Sequence, residues 1–450
     1  MERNEFYQAL FARAKAAGFS ACEVYRASGS SFSATVFGGE IIDYSASDDI
    51  GLGFRGLLNG RMGYAHTQAL DEDALEMLVR GAKESALLTE CGDAQFLFPG
   101  GEAYASVDNY AEAVEKMRVS DKLELCRSLE ARVAAADARM RREAEASVFS
   151  QSCEEEIVNT LGLRARRQMS LIGGSVQAVA CEGGRTASGA GVCFACDPAN
   201  LDADRAVREA ATQALDGLGA SSVSSGRYRV LLRNDVAAAL LRCFSGVFSA
   251  ENAQKGLSLL AGREGEAVAA ACVNIADEPH LPGMFASRPF DAEGVPTRRK
   301  RVVSGGVLST LLHNLKTANK QGVSTTANGA RHGHDAPIAV APSNLLLEPS
   351  DAPFEAMLAA LGDGLLITQL QGWHAGADPV SGDFSLPAKG YRVRGGEICE
   401  AVDQITLAGN FFSALREAEA VGNDLRFTFP STCAFASPCV LLPDLSVAGK

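Results

Sequence analysis

Residues 22–68, CEVYRASGSSFSATVFGGEIIDYSASDDIGLGFRGLLNGRMGYAHTQ, decide the fold. Apolar residues alternate with polar ones or cluster between Gly and Asn turn signals such as Asn59-Gly60, which is the pattern of a β-meander. GLGFRG at 51–56 satisfies the spacing of a dinucleotide-binding loop, but such a loop must open a helix so that a pyrophosphate meets the helix N-terminus. Here LLNGRMGYAHT follows and continues as a hairpin, so a nucleotide site is not expected.

Outward from the meander, the pattern repeats. The first 22 residues, MERNEFYQALFARAKAAGFSAC, form an amphipathic helix with Phe6, Leu10, Phe11 and Ala14 on one side. Residues 71–92 predict a helix with acidic residues in its first turn, which suits the helix dipole. Residues 94–120 are irregular, and 121–147 predict a strong helix behind a Ser120/Asp121 cap signal. A second strand-rich stretch covers 148–197, with turns expected at Leu161-Gly162, Gly173-Gly174 and Gly183-Gly184, and a helix follows at 201–217. Helix, meander and helix thus occur twice, which predicts a duplicated α+β unit.

SSVSSG at 221–226 reads as a linker, giving an N-terminal α+β domain at 1–222 and a second domain at 227–450. From Tyr228 the texture is glycine-rich and mostly β, with helical stretches at 234–250, 351–362 and 411–418 and turn signals at Gly305-Gly306, Asn328-Gly329 and Gly395-Gly396. The fold class is therefore α+β: a duplicated helix/β-meander domain followed by a mostly β, glycine-rich C-terminal domain.

Composition narrows the function. With 450 residues, 47% hydrophobic and 22% charged, the chain has ordinary globular character and room for two or three domains of ~100–200 residues. A formal net charge of −13 argues against nucleic-acid binding, which needs clustered cations. The one basic run, Arg298-Arg299-Lys300-Arg301, lacks interleaved aromatics and reads as a solvated hairpin. The charged N-terminal helix is not a signal peptide, and no apolar run approaches the ~20 residues of a membrane span. Twelve scattered Cys form no compact disulfide framework, so reduced thiols and a cytoplasmic location are expected.

Few motifs carry chemistry. Cys193-Phe-Ala-Cys196 lacks a second ligand pair for zinc and reads as two buried thiols. His332-Gly-His334-Asp335 is the best metal-like cluster by side-chain type, yet RHGHDAP reads as a pH-sensitive loop. No nucleophile elbow, Walker loop or H-E-x-x-H occurs, and none of the six His is followed by Glu. WHAGADPVSGDFSLPAKGY at 373–391 holds the only Trp. It is taken as a loop, either the wall of a binding chamber built with His374, Asp378, Ser381, Asp383 and Ser385, or a turn region anchored by Trp373.

The chain resembles the TldD/PmbA family, also described as modulators of DNA gyrase. The resemblance rests on DAEGVPTRRKRVVSGGVLSTLLHN at 291–314, STTANGAR at 324–331, PSNLLLEPS at 342–350, HAGADPVSGDFSLPAKGY at 374–391, ITLAGNFF at 405–412 and AVGNDLRF at 420–427. GLGFRGLLNGRMGYAHT at 51–67 fits the same family. Such families split into a metallopeptidase partner with an H-E-x-x-x-H helix and a terminal Cys ligand, and a partner without the metal site. Laid against ALLRCFSGVFSAEN at 239–252, that motif falls on Arg242, Cys243 and Val247, which cannot bind zinc or activate water. The resemblance therefore implies a PmbA/TldE-type subunit with no metal or other cofactor and no catalytic residue of its own. It would pair with a TldD-like zinc-bearing chain, or form a homodimer when alone, and help degrade unfolded, extended peptides in a chamber lined by Asn328, Arg331 and the 373–391 segment. Arg331 would hold a peptide carboxylate. Two alternatives stay open: a stand-alone metallopeptidase using His332, His334, His374 and Cys433 or Cys439, and a non-catalytic peptide-binding module.

Overall fold

The computed structural model describes residues 1–88 and 95–450. Its N-terminal body consists of α1 (Arg3–Ala16), β1 (Ala21–Phe37), β2 (Glu40–Leu58), β3 (Arg61–Thr67), α2 (Glu72–Leu88), α3 (Glu112–Lys116), α4 (Val119–Ala134), β4 (Glu145–Asn159), β5 (Arg164–Glu182), β6 (Arg185–Ala195) and α5 (Ala203–Leu218). The six strands form one antiparallel sheet in the order β3-β2-β1-β4-β5-β6. The two meanders thus meet through β1 and β4, and the duplicated unit read from the sequence closes into a single sheet. Asn59 and Gly60 both have positive φ, as a two-residue hairpin turn of the primed type requires.

Period-two alternation sorts the two faces of this sheet. Val24, Leu52 and Phe54 bury against Phe6 and Leu10 of α1 and Leu75 and Leu78 of α2. Ala146, Val148 and Val176 bury against Leu129 and Val133 of α4 and Ala210 and Ala214 of α5. On the opposite face, Tyr25 and Ile157 pack with Phe290 of the second body.

Local expectations at one helix and one turn are corrected. The helix expected over 121–147 ends at Ala134, and its N-cap is Arg118, whose guanidinium takes up Asp121. Beyond Asp137 the buried positions Ala144, Ala146 and Val148 recur every second residue, so the chain is already extending into β4. Gly173-Gly174 is no turn but the middle of β5: a Cβ on Gly173 would lie 2.2 Å from the Phe149 ring, and one on Gly174 2.6 Å from Leu129 Cδ1. The last residues of the helix expected over 71–92 lie outside the described residues.

The second body begins with β7 (Gly226–Leu232), α6 (Asn234–Phe244), α7 (Ala250–Gln254), β8 (Ile275–Asp277), β9 (Lys300–Ser304), β10 (Val307–Leu308), α8 (Leu315–Gln321), β11 (Gly329–Ala330), β12 (Ala339–Val340) and β13 (Asn344–Leu347). It continues with α9 (Phe354–Leu361), β14 (Gly364–Leu370), α10 (Trp373–Gly376), β15 (Asp383–Arg394), β16 (Glu397–Asn410), α11 (Phe411–Glu417), β17 (Ala420–Val421), β18 (Arg426–Phe427), β19 (Ala434–Ser437) and β20 (Val440–Ala448). One sheet runs β16-β15-β14-β7-β20-β17, and an added β16–β20 pairing closes five of its strands into a ring. A second sheet, β10-β9-β8-β13-β19-β18, packs with it around Phe244, Phe248, Ile275, Val302 and Leu345.

Here too the structure corrects the reading. The 373–391 segment is a loop only in part, since α10 opens it and Asp383–Tyr391 belongs to β15. Asn328-Gly329 is not a hairpin tip; Asn328 is buried and Gly329 starts β11. The basic run is not simply solvated: Lys300 Nζ lies 3.0 Å from buried Asp277, and Arg299 and Arg301 both pair with Glu348. Among the described residues, no helix is long and apolar enough to cross a membrane.

Candidate functional site

The face of the N-terminal sheet that meets the second body does not seal. A cavity of about 750 Å³ opens there, between β1, β4 and β5 on one side and the 285–292 and 429–432 segments on the other. Such a volume is in the range that accepts drug-sized ligands. Phe149, Met169, Leu171, Phe285 and Phe429 make much of its wall apolar, while Arg167, Arg288 and Arg331 bring guanidinium groups to it. A second cavity of about 370 Å³ adjoins it, sharing Tyr25, Gln151, Cys153, Glu155 and Arg331, and reaches His332 and His334.

Behind Arg331 lies a buried network that joins the two bodies. Arg55 Nε donates to Glu23 Oε1 at 2.7 Å, and its Nη1 stands 3.8 Å from Glu293 Oε1. Arg331 Nη2 is 3.6 Å from the same Glu23 oxygen, and its guanidinium lies over the Tyr25 ring at 4.9 Å. Burial, and then the charge of Asp291, push the Glu293 carboxyl up to about 8. Burial raises Asp291 too, against three backbone N–H donors that favour its charged form. Arg331 is held below the ordinary arginine value by burial and by neighbouring Arg55.

Asn328 belongs to an adjacent, fully engaged cluster. Its Nδ2 donates to Asp277 Oδ2 at 2.8 Å and to the Ala341 carbonyl at 3.0 Å, while its Oδ1 accepts from Lys300 Nζ at 3.0 Å. Burial alone would raise Asp277, but Lys300 and the hydrogen bonds from Ser343 and Asn328 outweigh it and hold this carboxyl below its usual range. Asn328 lines neither cavity.

The other expected chamber residues lie elsewhere. None of His374, Asp378, Ser381, Asp383 and Ser385 lines either cavity. Asp378 Oδ1 accepts from the Val380 N–H at 2.9 Å, and Asn410 Nδ2 donates to Asp383 Oδ1 at 2.8 Å, so these groups fix a turn at the start of β15. Next to Asp383, Phe384 points inward, its ring centroid 6.4 Å from that of Phe244 in α6, and Phe411 stacks on Phe244 at 4.8 Å. The segment thus adjoins the helix that carries Arg242 and Cys243. Arg242 is exposed, burial raises the half-buried Cys243 thiol, and Val247 is buried. A permanent cation, an alkyl group and one protonated thiol do not fit a zinc ion. Among the described residues, no three His, Cys, Asp or Glu side chains gather to hold a metal, so His332, His334, His374 and a terminal Cys do not assemble as one site.

Sequence reasoning missed Glu23, Arg55, Arg167, Arg288, Asp291 and Glu293. For Glu23 and Arg55 a signal was present: each is a charged residue in a mostly apolar run, CEVYRA and GFRG, and each is buried and paired with the other.

Three family models match this chain in order: PmbA/TldA metallopeptidase domain 1 at 22–86, the central domain at 112–218 and the C-terminal domain at 225–449. A crystal structure from Thermotoga maritima, described as that of a modulator of a DNA gyrase, is 34% identical, covers 99% of this chain and 100% of its own, and superposes with a TM-score of 0.91. The chain belongs to the PmbA/TldD family. The fold is shared by TldE from Thermococcus kodakarensis, at 20% identity, a TM-score of 0.88 and coverage of 99% and 100%. Among curated relatives, Metalloprotease PmbA of Escherichia coli O157:H7 is 31% identical over 242 residues, 54% of this chain and 50% of that protein. A Metalloprotease of Archaeoglobus fulgidus is 32% identical over 222 residues, 49% of this chain and 51% of its own. The matches thus span about half the length of these curated relatives. In this PmbA/TldD chain the cavity and the helix that carries Arg242 and Cys243 are separate places, the one between the two bodies and the other within the second.

Proposed function

We propose that this chain is a metal-free, PmbA/TldE-like subunit that binds extended peptides while a zinc-bearing, TldD-like partner cleaves them. The observation that carries the reading is the segment from Arg242 to Val247, whose side chains cannot hold a catalytic ion although it lies where the family resemblance puts the zinc helix. The metalloprotease names of its relatives support peptide hydrolysis as the activity of the assembly. Pairing is supported by the edge of the N-terminal sheet: β3 covers β2 only from Leu52 to Leu58, and among the described residues Glu40–Ile50 has no strand partner along that side. Free thiols buried at Cys193 and Cys196 suit a reducing cytoplasm.

The test is co-expression with a zinc-bearing relative from one organism, followed by peptide cleavage and elemental analysis of each chain and of the mixture. The isolated chain is expected to lack near-stoichiometric zinc and to cleave nothing, and the mixture to cleave unfolded peptides. Zinc-dependent cleavage by the isolated chain would overturn the assignment.

A further inference from the structure

The main cavity holds more positive charge than its own carboxylates neutralise. Arg167 is matched, its Nε donating to Glu155 Oε2 at 2.7 Å. Arg288 is buried, yet among the described residues it has no carboxylate partner: Nε donates to the Ala286 carbonyl at 3.2 Å and Nη2 to the Thr432 carbonyl. Arg331 is only 8% exposed, and its Nε and Nη2 have no hydrogen-bond partner. Its nearest anion, Glu23, accepts the short hydrogen bond from Arg55 on Oε1, the same oxygen that Arg331 Nη2 faces at 3.6 Å, while Glu23 Oε2 has no partner; one carboxylate is thus set between two guanidinium groups. Burial and neighbouring Arg167 lower Arg288 from the ordinary arginine value, as expected of cations crowded without enough counter-charge.

A buried charge without a partner is costly, and a guanidinium fork suits bidentate pairing with a carboxylate. Around these forks the wall is aromatic and aliphatic, with Phe149, Leu171, Phe285 and Phe429 at the surface of the cavity. We propose that the cleft recognises a carboxylate joined to an apolar body, with Arg288 and Arg331 taking the carboxylate and the phenylalanines the apolar part. Two sources share that chemistry, the free C-terminus of an apolar peptide and a small aryl or alkyl acid. The peptide source rests on the peptide-holding reading above; the carboxylate site does not.

The experiment uses the full chain without a partner. A fluorescein-labelled pentapeptide ending in Leu-Phe is titrated as the free acid and as the C-terminal amide, and 3-phenylpropionate is titrated beside 3-phenylpropionamide. The acid is expected to bind at least about thirty-fold tighter than its amide, a difference of ~2 kcal/mol, because the amide leaves the buried guanidinium groups without a counter-charge. Arg288→Gln and Arg331→Gln should each shrink that ratio. The native-chain comparison of acid with amide decides the matter even where a variant fails to fold. A peptide acid and amide that bind equally overturn the carboxylate site and leave peptide holding intact. Acid-selective binding of phenylpropionate without any peptide binding supports the site and removes the peptide as its source. Binding of neither acid overturns the proposal.

Discussion

Glu293 shows how one buried carboxyl can set a pH dependence. Burial and Asp291 hold its folded-state value near 8, against an ordinary value of 4.5. The folded chain therefore keeps a proton that the unfolded chain releases, so the native state binds more protons between those values. The sign follows: this contribution to stability is complete below about 4.5 and is lost as pH rises through about 8. Glu293→Gln imitates the protonated form, and its amide oxygen can still accept the Leu315 N–H that now meets Oε2 at 2.7 Å. Urea midpoints measured from pH 5 to pH 8 should fall less steeply for the variant than for the native chain. Parallel profiles would show that Glu293 does not hold that proton.

Whole strands and helices pose a different problem, because a residue's meaning depends on what lies across from it. Gly191 in β6 faces α5, where an added Cβ would sit 1.9 Å from the Ala206 carbonyl oxygen. Backbone cannot yield as a side-chain tip can, so Gly191→Ala should cost ~1–3 kcal/mol through forced separation of helix and sheet. Gly226→Ala is the control: its Cβ would meet only Tyr228 Cε2 at 3.6 Å, an ordinary contact, and unfolding free energies should barely move. Similar costs for both would mean that backbone entropy, not helix–sheet approach, makes these glycines matter. The same contrast explains what could be read in advance. Asn59-Gly60 announced its hairpin because the turn's positive φ values are a local demand. Gly173-Gly174 carried the same kind of turn signal, yet its glycines answer to Phe149 and Leu129, which are 24 and 45 residues away from Gly173 and Gly174 respectively. The site was less legible for the same reason: Glu23 and Arg55 face each other across β1 and β2, but Glu293 and Arg331 reach them from the second body, more than 230 residues along the chain. The 373–391 segment misled in the opposite way, because its Gly, Pro and Asp content concealed the strand from Asp383 onward.

At the scale of the molecule, the stretch of β2 from Glu40 to Ile50 has no strand partner on its outer side among the described residues, and that edge carries a prediction about assembly. Along β2 from Glu40 to Ile50 nearly every residue is exposed, and Ile41, Ile42, Tyr44 and Ile50 are large apolar groups among them. An exposed edge offers a row of backbone donors and acceptors to another chain, and proteins that stay monomeric usually blunt it with lysine, proline or a bulge. The free stretch, EIIDYSASDDI, has neither lysine nor proline, and its one register shift, at Ile42, lies near its start and leaves Asp43–Ile50 regular. Its Glu and Asp residues disfavour indiscriminate aggregation while leaving the edge open to a matched partner. Ile41 and Ile42 are 38% and 58% exposed and join no buried cluster, so replacing both with Asp removes apolar contact and adds charge without touching the core. The double variant should keep the native melting temperature to within about 2 °C, because surface substitutions usually change stability by less than ~0.5 kcal/mol. Sedimentation of the native chain with a zinc-bearing relative should then show a complex that the double variant forms at least ten-fold more weakly. Undiminished assembly by a folded double variant would exclude this edge as the contact.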